Sequence, residues 1–180
     1  AGASSTPGQG SRFWFTASLL KSTADVHASP STPAEPAELV LRREHAGRSL
    51  LVVEDDLINR EIAVELLQYV GLDADVAQDG LEAVAMAQRK RYDLILMDMQ
   101  MPRLDGMAAA RRIRKGASGA DTPIVAMTAN AFDEDRQRCV DAGMNDFITK
   151  PVDPQTLFSV LLQWLPKSTG IGHPQWQRTK

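Results

Sequence analysis

The sequence predicts an α/β fold, a doubly wound parallel five-stranded sheet of the (βα)5 type, over residues 48–166. Two observations predict it. Short apolar runs alternate five times with amphipathic helical patterns along this stretch. The principal apolar runs are continuous, which is typical of strands that helices cover on both faces. Strands that alternate with helices in this way form a parallel sheet with right-handed crossovers.

The first half of this region contains three strands and two helices. The strands are predicted at 49–53, 73–77 and 93–98. The first helix ends at Gly71, and the second begins near Asp79. The helical positions that we expect to face inward are Ile58, Ile62, Ala63, Leu66, Tyr69 and Val70 in the first helix and Leu81, Val84 and Ala85 in the second.

The second half adds two strands and three helices. The helices are predicted at 105–115, 133–142 and 153–165, and the strands at 123–127 and 145–148. The last helix has the clearest signature, because an aspartate suited to the N-cap is followed by a proline at the first helical position. Its apolar residues recur at helical spacing and are Leu157, Val160, Leu161, Trp164 and Leu165.

Segments of different composition flank this region. Residues 21–47 are mostly Ser, Thr, Ala, Glu and Pro, which bury too little apolar surface to offset the entropy of ordering, so we expect a flexible linker. Residues 167–180 are polar, and we expect a disordered tail. The predicted organisation is therefore an N-terminal piece at 1–20, the linker, one domain at 48–166 and the tail.

The overall composition excludes several classes of protein. The 180 residues carry 20 basic and 23 acidic side chains, a net charge of −3, which argues against a general nucleic-acid-binding surface. Cys139 is the single cysteine and cannot form an internal disulfide, so we expect a cytoplasmic protein. No apolar run reaches the roughly 18 residues that a membrane span needs. We therefore expect neither nucleic acid nor a membrane as a partner of this chain.

Polar residues follow the predicted strands where a functional site is expected. In open parallel sheets, ligands bind beyond the carboxyl ends of the strands, at the point where the strand order reverses. With five strands, the flavodoxin-like order 2-1-3-4-5 places the first and third strands side by side. The residues at these strand ends are Glu54, Asp55, Asp98, Thr128 and Lys150.

Three of these side chains, Glu54, Asp55 and Asp98, are carboxylates that this strand order brings together. Two carboxylates about 4 Å apart repel each other by roughly 4 kcal/mol at an effective dielectric constant near 20. Such a cluster requires a cation, and oxygen ligands in a small, partly hydrated site suit Mg²⁺. With Lys150 and the Thr128 hydroxyl opposite, the group has what is needed to receive a phosphoryl group on an aspartate.

Four motifs in this region resemble the receiver domains of two-component signalling, the response-regulator family. They occur in the expected order and spacing over about residues 48–166. The resemblance implies a domain that takes a phosphoryl group from phosphohistidine. The motifs are Val52-Val53-Glu54-Asp55, Met97-Asp98-Met99-Gln100-Met101-Pro102 followed by Asp105-Gly106, Met127-Thr128-Ala129, and Phe147-Ile148-Thr149-Lys150-Pro151.

The resemblance also implies roles for individual residues. Asp98 would be the phosphoacceptor, and Glu54 and Asp55 would be the acidic pair that binds Mg²⁺ together with Asp98. The backbone carbonyl of Gln100 would be a further metal ligand, and Lys150 would pair with the phosphoryl group. Many receivers have aspartate where this chain has Glu54, and the longer glutamate would reach the metal through water.

Two residues would act as the switch of such a domain. Thr128 would hydrogen-bond the phosphoryl group, and the ring of Phe147 would move with it. This movement would change the surface formed by the domain's fourth helix, fifth strand and fifth helix. Output would pass through that surface, or by relay to a histidine phosphotransfer protein. The Lys150-Pro151 peptide bond would be cis, which only an X-Pro bond adopts at low cost.

The N-terminal segment Gly8-Gln9-Gly10-Ser11-Arg12-Phe13-Trp14-Phe15-Thr16 resembles the C-terminal end of a histidine-kinase ATP-binding domain. A kinase end, a linker and a receiver in this order form the layout of a hybrid sensor histidine kinase, whose kinase domain would donate the phosphoryl group. The kinase catalytic core is absent from this chain. We expect an unpaired strand at 12–20, whose aromatic side chains and open backbone edge favour self-association.

Two alternative functions remain open at this stage. A receiver-like module could bind proteins without being phosphorylated, although such a scaffold has no need to hold three carboxylates together. A phosphatase with an aspartyl nucleophile is the second alternative. Enzymes of that class that resemble dehalogenases carry Asp-x-Asp after the first strand, whereas Met99 and Gln100 follow Asp98 on the third. Slow self-hydrolysis of the phosphorylated aspartate is expected of a receiver.

Overall fold

The computed structural model describes residues 2–6, 8, 10–16, 35–129 and 133–166. These residues fall into two units, which lie within Ala1–Ala34 and Glu35–Lys180. The predicted tail at 167–180 and the first part of the predicted linker, 21–34, lie outside the described residues. Within the described part of the chain, no helix combines the length and the apolar character that a membrane crossing requires.

The N-terminal unit contains a two-stranded antiparallel hairpin of β1 (Gly2–Thr6) and β2 (Gly10–Trp14). The prediction of an unpaired strand at 12–20 is wrong for residues 12–14, because they pair with β1. The rest of that predicted strand either continues without regular structure or lies outside the described residues. The Phe13 side chain is 79% exposed, so the hairpin presents aromatic surface.

The larger unit contains the predicted parallel sheet with helices on both faces. Its elements, in chain order, are α1 (Ala37–Glu44), β3 (Ser49–Val53), α2 (Leu57–Tyr69), β4 (Asp73–Ala77), α3 (Gly80–Arg89), β5 (Leu94–Asp98), α4 (Gly106–Lys115), β6 (Ile124–Thr128), α5 (Asp133–Asp141), β7 (Asp146–Thr149) and α6 (Pro154–Trp164). The strands lie in the order β4-β3-β5-β6-β7. This is the predicted order 2-1-3-4-5 when the strands are counted within the domain, so the predicted fold class is confirmed.

The sheet separates two hydrophobic cores because successive strand residues point to opposite faces. In β3, Leu50 and Val52 face the core under α2 and α6, whereas Leu51 and Val53 face the core under α3, α4 and α5. All four side chains are fully buried. Burial on both faces explains why the apolar residues of this strand are contiguous in the sequence. Polar groups therefore gather at the strand ends.

Helix α1 is absent from the sequence prediction and forms part of the domain. The predicted linker at 21–47 is therefore wrong for residues 37–44. Leu41 is fully buried in the core that α2 and α6 cover, and the Arg42 guanidinium lies 4.2 Å from the centroid of the Tyr69 ring. The sequence composition does not predict this helix, because Leu41 is its single buried residue. The folded domain begins near residue 35 rather than 48.

The buried face of α2 is rotated from the predicted one. Ala63, Leu67 and Val70 are buried, whereas Ile58 and Ile62 are 66% and 47% exposed. The helix carries apolar residues over more than one stripe, so periodicity alone does not determine which stripe meets the sheet. The same correction applies to Tyr69, which is exposed, and to α3, which buries Ala83 and Ala87 and exposes Leu81.

Candidate functional site

Three predicted site residues meet at the carboxyl edge of the sheet. Glu54 directly follows β3, Asp98 ends β5 and Lys150 directly follows β7. The two carboxylates are close because β3 and β5 are adjacent parallel strands, in which Val53 pairs with Met97. Glu54 is 1% exposed and Asp98 is 4% exposed. Buried carboxylates require partners, so their surroundings define the chemistry of the site.

The ammonium group of Lys150 joins the two buried carboxylates. Its Nζ atom lies 2.7 Å from Glu54 Oε2 and 2.9 Å from Asp98 Oδ2. Burial raises the pKa of Glu54, the hydrogen bond from Lys150 opposes this effect, and the charge of Asp98 adds to the increase. Burial alone would lower the pKa of Lys150, but the hydrogen bonds to Asp98 and Glu54 outweigh it and raise that pKa. One cation thus serves two carboxylates.

The third carboxylate completes a set of oxygen ligands that fits a divalent metal ion. Asp55 is exposed, and one oxygen each from Glu54, Asp55 and Asp98 lie within 4.8 Å of one another. Oxygen-only ligands with an opening to solvent suit Mg²⁺, which keeps several of its waters. The predicted gathering of the three carboxylates is therefore present, and the donor set fits the predicted cofactor.

A polar contact that the sequence prediction omits supports Glu54 from the first turn of α2. The Asn59 amide donates to Glu54 Oε1 at 3.3 Å. The guanidinium of the next residue, Arg60, donates to the carbonyl oxygens of Glu54 and Asp55 at 3.0 and 3.3 Å. The signal for both residues is their position in the first turn of a helix that begins beside the site. Asp56, the N-cap of that helix, accepts from the Asn59 N–H at 2.9 Å.

The loop between β5 and α4 lies against the Asp98 carboxylate. The Gln100 N–H donates to Asp98 Oδ1 at 3.1 Å, and the Gly106 N–H donates to the Met99 carbonyl at 3.2 Å. A Cβ atom at Gly106 would overlap the carbonyl oxygen of Asp98, so only glycine permits this close approach. The loop therefore places the backbone of Gln100, a predicted metal ligand, next to the acidic cluster.

The two predicted switch residues lie on the neighbouring strands β6 and β7. Thr128 ends β6, and its carbonyl accepts from the Lys150 N–H at 2.8 Å. Phe147 is half-buried on β7 against the second core, and the Arg136 guanidinium lies 5.0 Å from the centroid of its ring. Thr128 thus shares the edge of the site, while Phe147 connects β7 to α5. The predicted cis peptide bond Lys150-Pro151 is present.

A small cavity of about 120 Å³ adjoins the buried acid–lysine pair. It lies between the first turns of α2 and the segment after β7, and both polar and apolar side chains line it. Its lining residues are Glu54, Asn59, Ile62, Met127, Lys150, Pro151 and Val152. Ile62, an exposed apolar residue of α2, therefore lines the same cavity as Glu54 and Lys150.

The fold and the site together define a class of protein, the α/β domains that present an acidic cluster and a lysine at the carboxyl edge of a parallel sheet. The model of the response regulator receiver domain family matches residues 50–162 of the chain. The chain belongs to this family and is a receiver domain of two-component phosphorelay signalling. The resemblance drawn from the four sequence motifs is thereby confirmed.

Individual relatives support this assignment. Hybrid signal transduction histidine kinase K of Dictyostelium discoideum is 34% identical over 163 residues, which cover 84% of this chain and 13% of that kinase. A second similar protein is the receiver domain of sensor histidine kinase PA1611 from Pseudomonas aeruginosa, which was solved with magnesium coordinated in its active site cleft. It is 43% identical with a TM-score of 0.63, and the match covers 66% of this chain and 98% of that one. The chain is also similar to one from Saccharomyces cerevisiae, in the co-crystal structure of the histidine phosphotransfer protein Ypd1 with the receiver domain of Ssk1. The two chains are 33% identical with a TM-score of 0.61, and the match covers 66% of this chain and 89% of the other.

Proposed function

We propose that Asp98 is the phosphoacceptor of this receiver domain and that it takes its phosphoryl group from a phosphohistidine. The position of the Asp98 carboxylate carries the proposal. It lies 2.9 Å from the Lys150 ammonium and within the carboxylate cluster of Glu54 and Asp55. An ammonium on one side and a divalent metal on the other would neutralise the charge of an incoming phosphoryl group.

The transfer is a displacement at phosphorus. One carboxylate oxygen of Asp98 forms a bond to phosphorus while the bond from phosphorus to the donor's imidazole nitrogen breaks. The bonding electrons stay with the imidazole, which recovers a proton from water. Glu54, Asp55, Asp98 and the Gln100 carbonyl would hold Mg²⁺, which would neutralise charge at the phosphoryl oxygens. Lys150 then pairs with the new phosphoryl group in place of the free carboxylate.

Phosphorylation adds about −1.5 to −2 charges to a confined site, and Thr128 and Phe147 would convert this change into a surface change. The Thr128 hydroxyl would bind the phosphoryl group and draw the end of β6 toward Asp98. Phe147 would then pack inward and release its contact with Arg136, which lies 5.0 Å from its ring. The surface of α5, β7 and α6 would thereby have two states.

The exposed apolar face of α2 is the docking surface that we propose for a histidine phosphotransfer protein. Leu57, Ile58 and Ile62 are 57%, 66% and 47% exposed, and Ile62 lines the cavity beside Lys150. A partner helix on this face would bring its phosphohistidine to Asp98. The co-crystal structure of Ypd1 with the receiver domain of Ssk1, to which this chain is similar, supports a partner of this type.

A hybrid sensor histidine kinase is the larger protein that we propose for this domain, and the cytoplasm is its compartment. The similar region spans 13% of the Dictyostelium kinase, so the larger protein's activity is part of the proposal. In this interpretation residues 1–20 end a kinase ATP-binding domain, and the exposed Phe13 of the hairpin is a surface for association. The single cysteine agrees with a reducing compartment.

The proposal is tested by offering the chain two phosphoryl donors in the presence of Mg²⁺ and measuring bound phosphate by intact mass. The donors are acetyl phosphate and a phosphorylated histidine phosphotransfer protein. We expect the wild-type chain to accept one phosphoryl group from either donor and Asp98→Asn to accept none. Ile62→Glu should keep labelling by acetyl phosphate and lose transfer from the protein donor.

A matched control replaces an exposed apolar residue on another helix. Val140 is 58% exposed on α5, and Val140→Glu should keep labelling by both donors. Equal labelling of Asp98→Asn and wild type would contradict the phosphoacceptor assignment. A wild-type chain that stays unlabelled by both donors would instead favour a receiver-like module that binds proteins without being phosphorylated.

A further inference from the structure

The β5–α4 loop contains an unusual backbone conformation three residues after Gln100. Arg103 has a φ of +66°, and among the described residues it is the one non-glycine residue with positive φ. The Leu104 N–H donates to the Pro102 carbonyl at 2.8 Å, which closes a three-residue γ-turn around Arg103. A γ-turn with positive φ at its centre is the rare, strained form. Strain of this kind persists where the surrounding structure enforces it, and it clusters at functional sites.

One contact that holds this turn is an ion pair between Arg103 and Asp79. The Asp79 side chain is 3% exposed, whereas that of Arg103 is 62% exposed. Asp79 Oδ1 caps α3 by accepting from the N–H groups of Leu81 and Glu82 at 2.8 and 3.0 Å. Its other oxygen, Oδ2, faces the Arg103 guanidinium. A buried carboxylate oxygen needs a partner, so Arg103 is held over the beginning of α3.

Packing holds the same turn from the other side. Leu104 is 9% exposed and belongs to the core beneath α3 and α4. A Cβ atom at Gly80 would overlap the Leu104 carbonyl oxygen, so the backbone of the turn lies directly on the first residue of α3. Arg103 and Leu104 therefore fix the tip of the loop to α3 by two independent contacts.

We infer that Arg103 is a positioning residue for the metal site, acting on the Gln100 carbonyl through the strained turn. The inference rests on the proposed function, in which that carbonyl is a ligand of Mg²⁺. Only Met101 separates Gln100 from the turn, whose first residue is Pro102, and the ring of Pro102 removes one backbone freedom. The other end of the loop is fixed by the Gln100 N–H on Asp98 Oδ1 at 3.1 Å. Release of the turn therefore displaces the Gln100 backbone.

The sign of the effect separates positioning from simple electrostatics. Arg103 carries a positive charge on the loop beside the acidic cluster, so its removal would strengthen Mg²⁺ binding if charge alone mattered. Positioning gives the opposite result. Residues that orient metal ligands typically change metal affinity by about tenfold or more when they are replaced.

Calorimetric titration of the full chain with MgCl₂ tests the inference. Arg103→Gly removes the ion pair, and glycine adopts positive φ without strain, so the fold should be kept. We expect about tenfold weaker Mg²⁺ binding with an almost unchanged melting temperature. Asp79→Asn keeps the cap of α3, since asparagine is an equally good N-cap, and should weaken Mg²⁺ binding by a similar factor. The double variant should lose no more than either single variant.

Arg91→Gly is the matched control, because it removes an equally positive and 71% exposed arginine from the loop before β5, at the opposite end of the sheet. It should bind Mg²⁺ as the wild type does. If Arg103→Gly fails to fold, Arg103→Asn replaces it, because asparagine also tolerates positive φ. Unchanged or tighter Mg²⁺ binding by a folded Arg103 variant overturns the inference alone, provided that Glu54→Gln abolishes binding. A wild-type chain without Mg²⁺ binding overturns the proposed function as well.

Discussion

The two ends of the parallel sheet hold their charged groups in opposite ways. At the carboxyl end, the buried carboxylates of Glu54 and Asp98 share one cation, the ammonium of Lys150. At the amino end, the half-buried guanidinium of Arg114 donates hydrogen bonds of 2.6 to 2.9 Å to neutral oxygens. These acceptors are the carbonyls of Gly119, Thr122 and Gly143 and the side-chain oxygen of Asn145.

This difference indicates that the carboxyl end of the sheet is reactive and that the amino end is rigid. Burial lowers the pKa of Arg114, the charge of Asp121 opposes this effect, and an arginine remains protonated at neutral pH in any case. Its donors are matched by acceptors that the fold supplies from two separate segments, the loop before β6 and the loop before β7. The carboxyl end instead keeps an excess of negative charge that a metal ion can relieve. Removal of the Arg114 guanidinium should therefore lower the free energy of unfolding, whereas removal of the Asp98 charge should raise it in the absence of divalent metal.

The largest effect is expected at the amino end. Arg114→Ala leaves several carbonyl oxygens without donors, and we expect a loss of about 3 kcal/mol in the free energy of unfolding. Urea denaturation monitored by circular dichroism measures this loss. Arg112→Ala removes an exposed arginine from the same helix and should change stability by less than about 0.5 kcal/mol. Equal stabilities of the two variants would show that the Arg114 contacts contribute little.

At the carboxyl end, Asp98→Asn should stabilise the domain in the absence of divalent metal. The substitution removes the repulsion between Asp98 and Glu54 and leaves Lys150 to Glu54 alone, so we expect a gain of about 1 kcal/mol. Denaturation in EDTA and in MgCl₂ measures it, and added Mg²⁺ should stabilise the wild type more than the variant. Asp55→Asn, a change at the exposed member of the cluster, should have a smaller effect in EDTA. A less stable Asp98→Asn variant would refute the comparison.

The smallest effect concerns one titratable group near the amino end. His45 is 3% exposed, and its Nδ1 atom has no hydrogen-bond partner among the described residues. Burial and the charge of Arg48 lower its pKa from 6.5, while Glu44 and Asp93 oppose this effect. The unfolded chain therefore takes up a proton near pH 6.5 that the folded chain refuses, so stability is complete above this pH and falls as the pH drops below it.

Denaturation at about pH 7.5 and about pH 5.5 measures this loss, a range chosen because most carboxylates titrate below it. His45→Gln should remove much of the pH dependence, since glutamine has a similar size and no titration. A variant with the same pH dependence as the wild type would exclude His45 as its source.

Much of the fold and the edge of the site could be predicted because both follow from local patterns. Contiguous apolar runs identify strands that are buried on both faces, and helical periodicity identifies the segments between them. The strand order then places Glu54, Asp98 and Lys150 at one edge without any knowledge of side-chain contacts. The strands and helices predicted within residues 48–166 begin and end within about two residues of the observed ones.

What could not be predicted depends on contacts between distant segments. Arg114 reads as one of several basic residues at a helix end, and only the fold brings the carbonyl of Gly143 to it at 2.8 Å. The exposed position of Ile62 depends on how α2 docks on the sheet, which periodicity does not specify. The ion pair of Arg103 with Asp79 joins two loops that belong to different βα units. Each case lacks a local sequence signal.

Leu41 makes the helix at the N-terminal boundary a structural part of the domain. Its side chain is fully buried in the core that α2 and α6 cover, so a domain that begins at residue 48 would contain a cavity there. The burial of Leu41 also attaches α1 to the rest of the domain. A movement of α1 would therefore reach α6 through direct side-chain packing, as well as through the peptide chain that continues into β3.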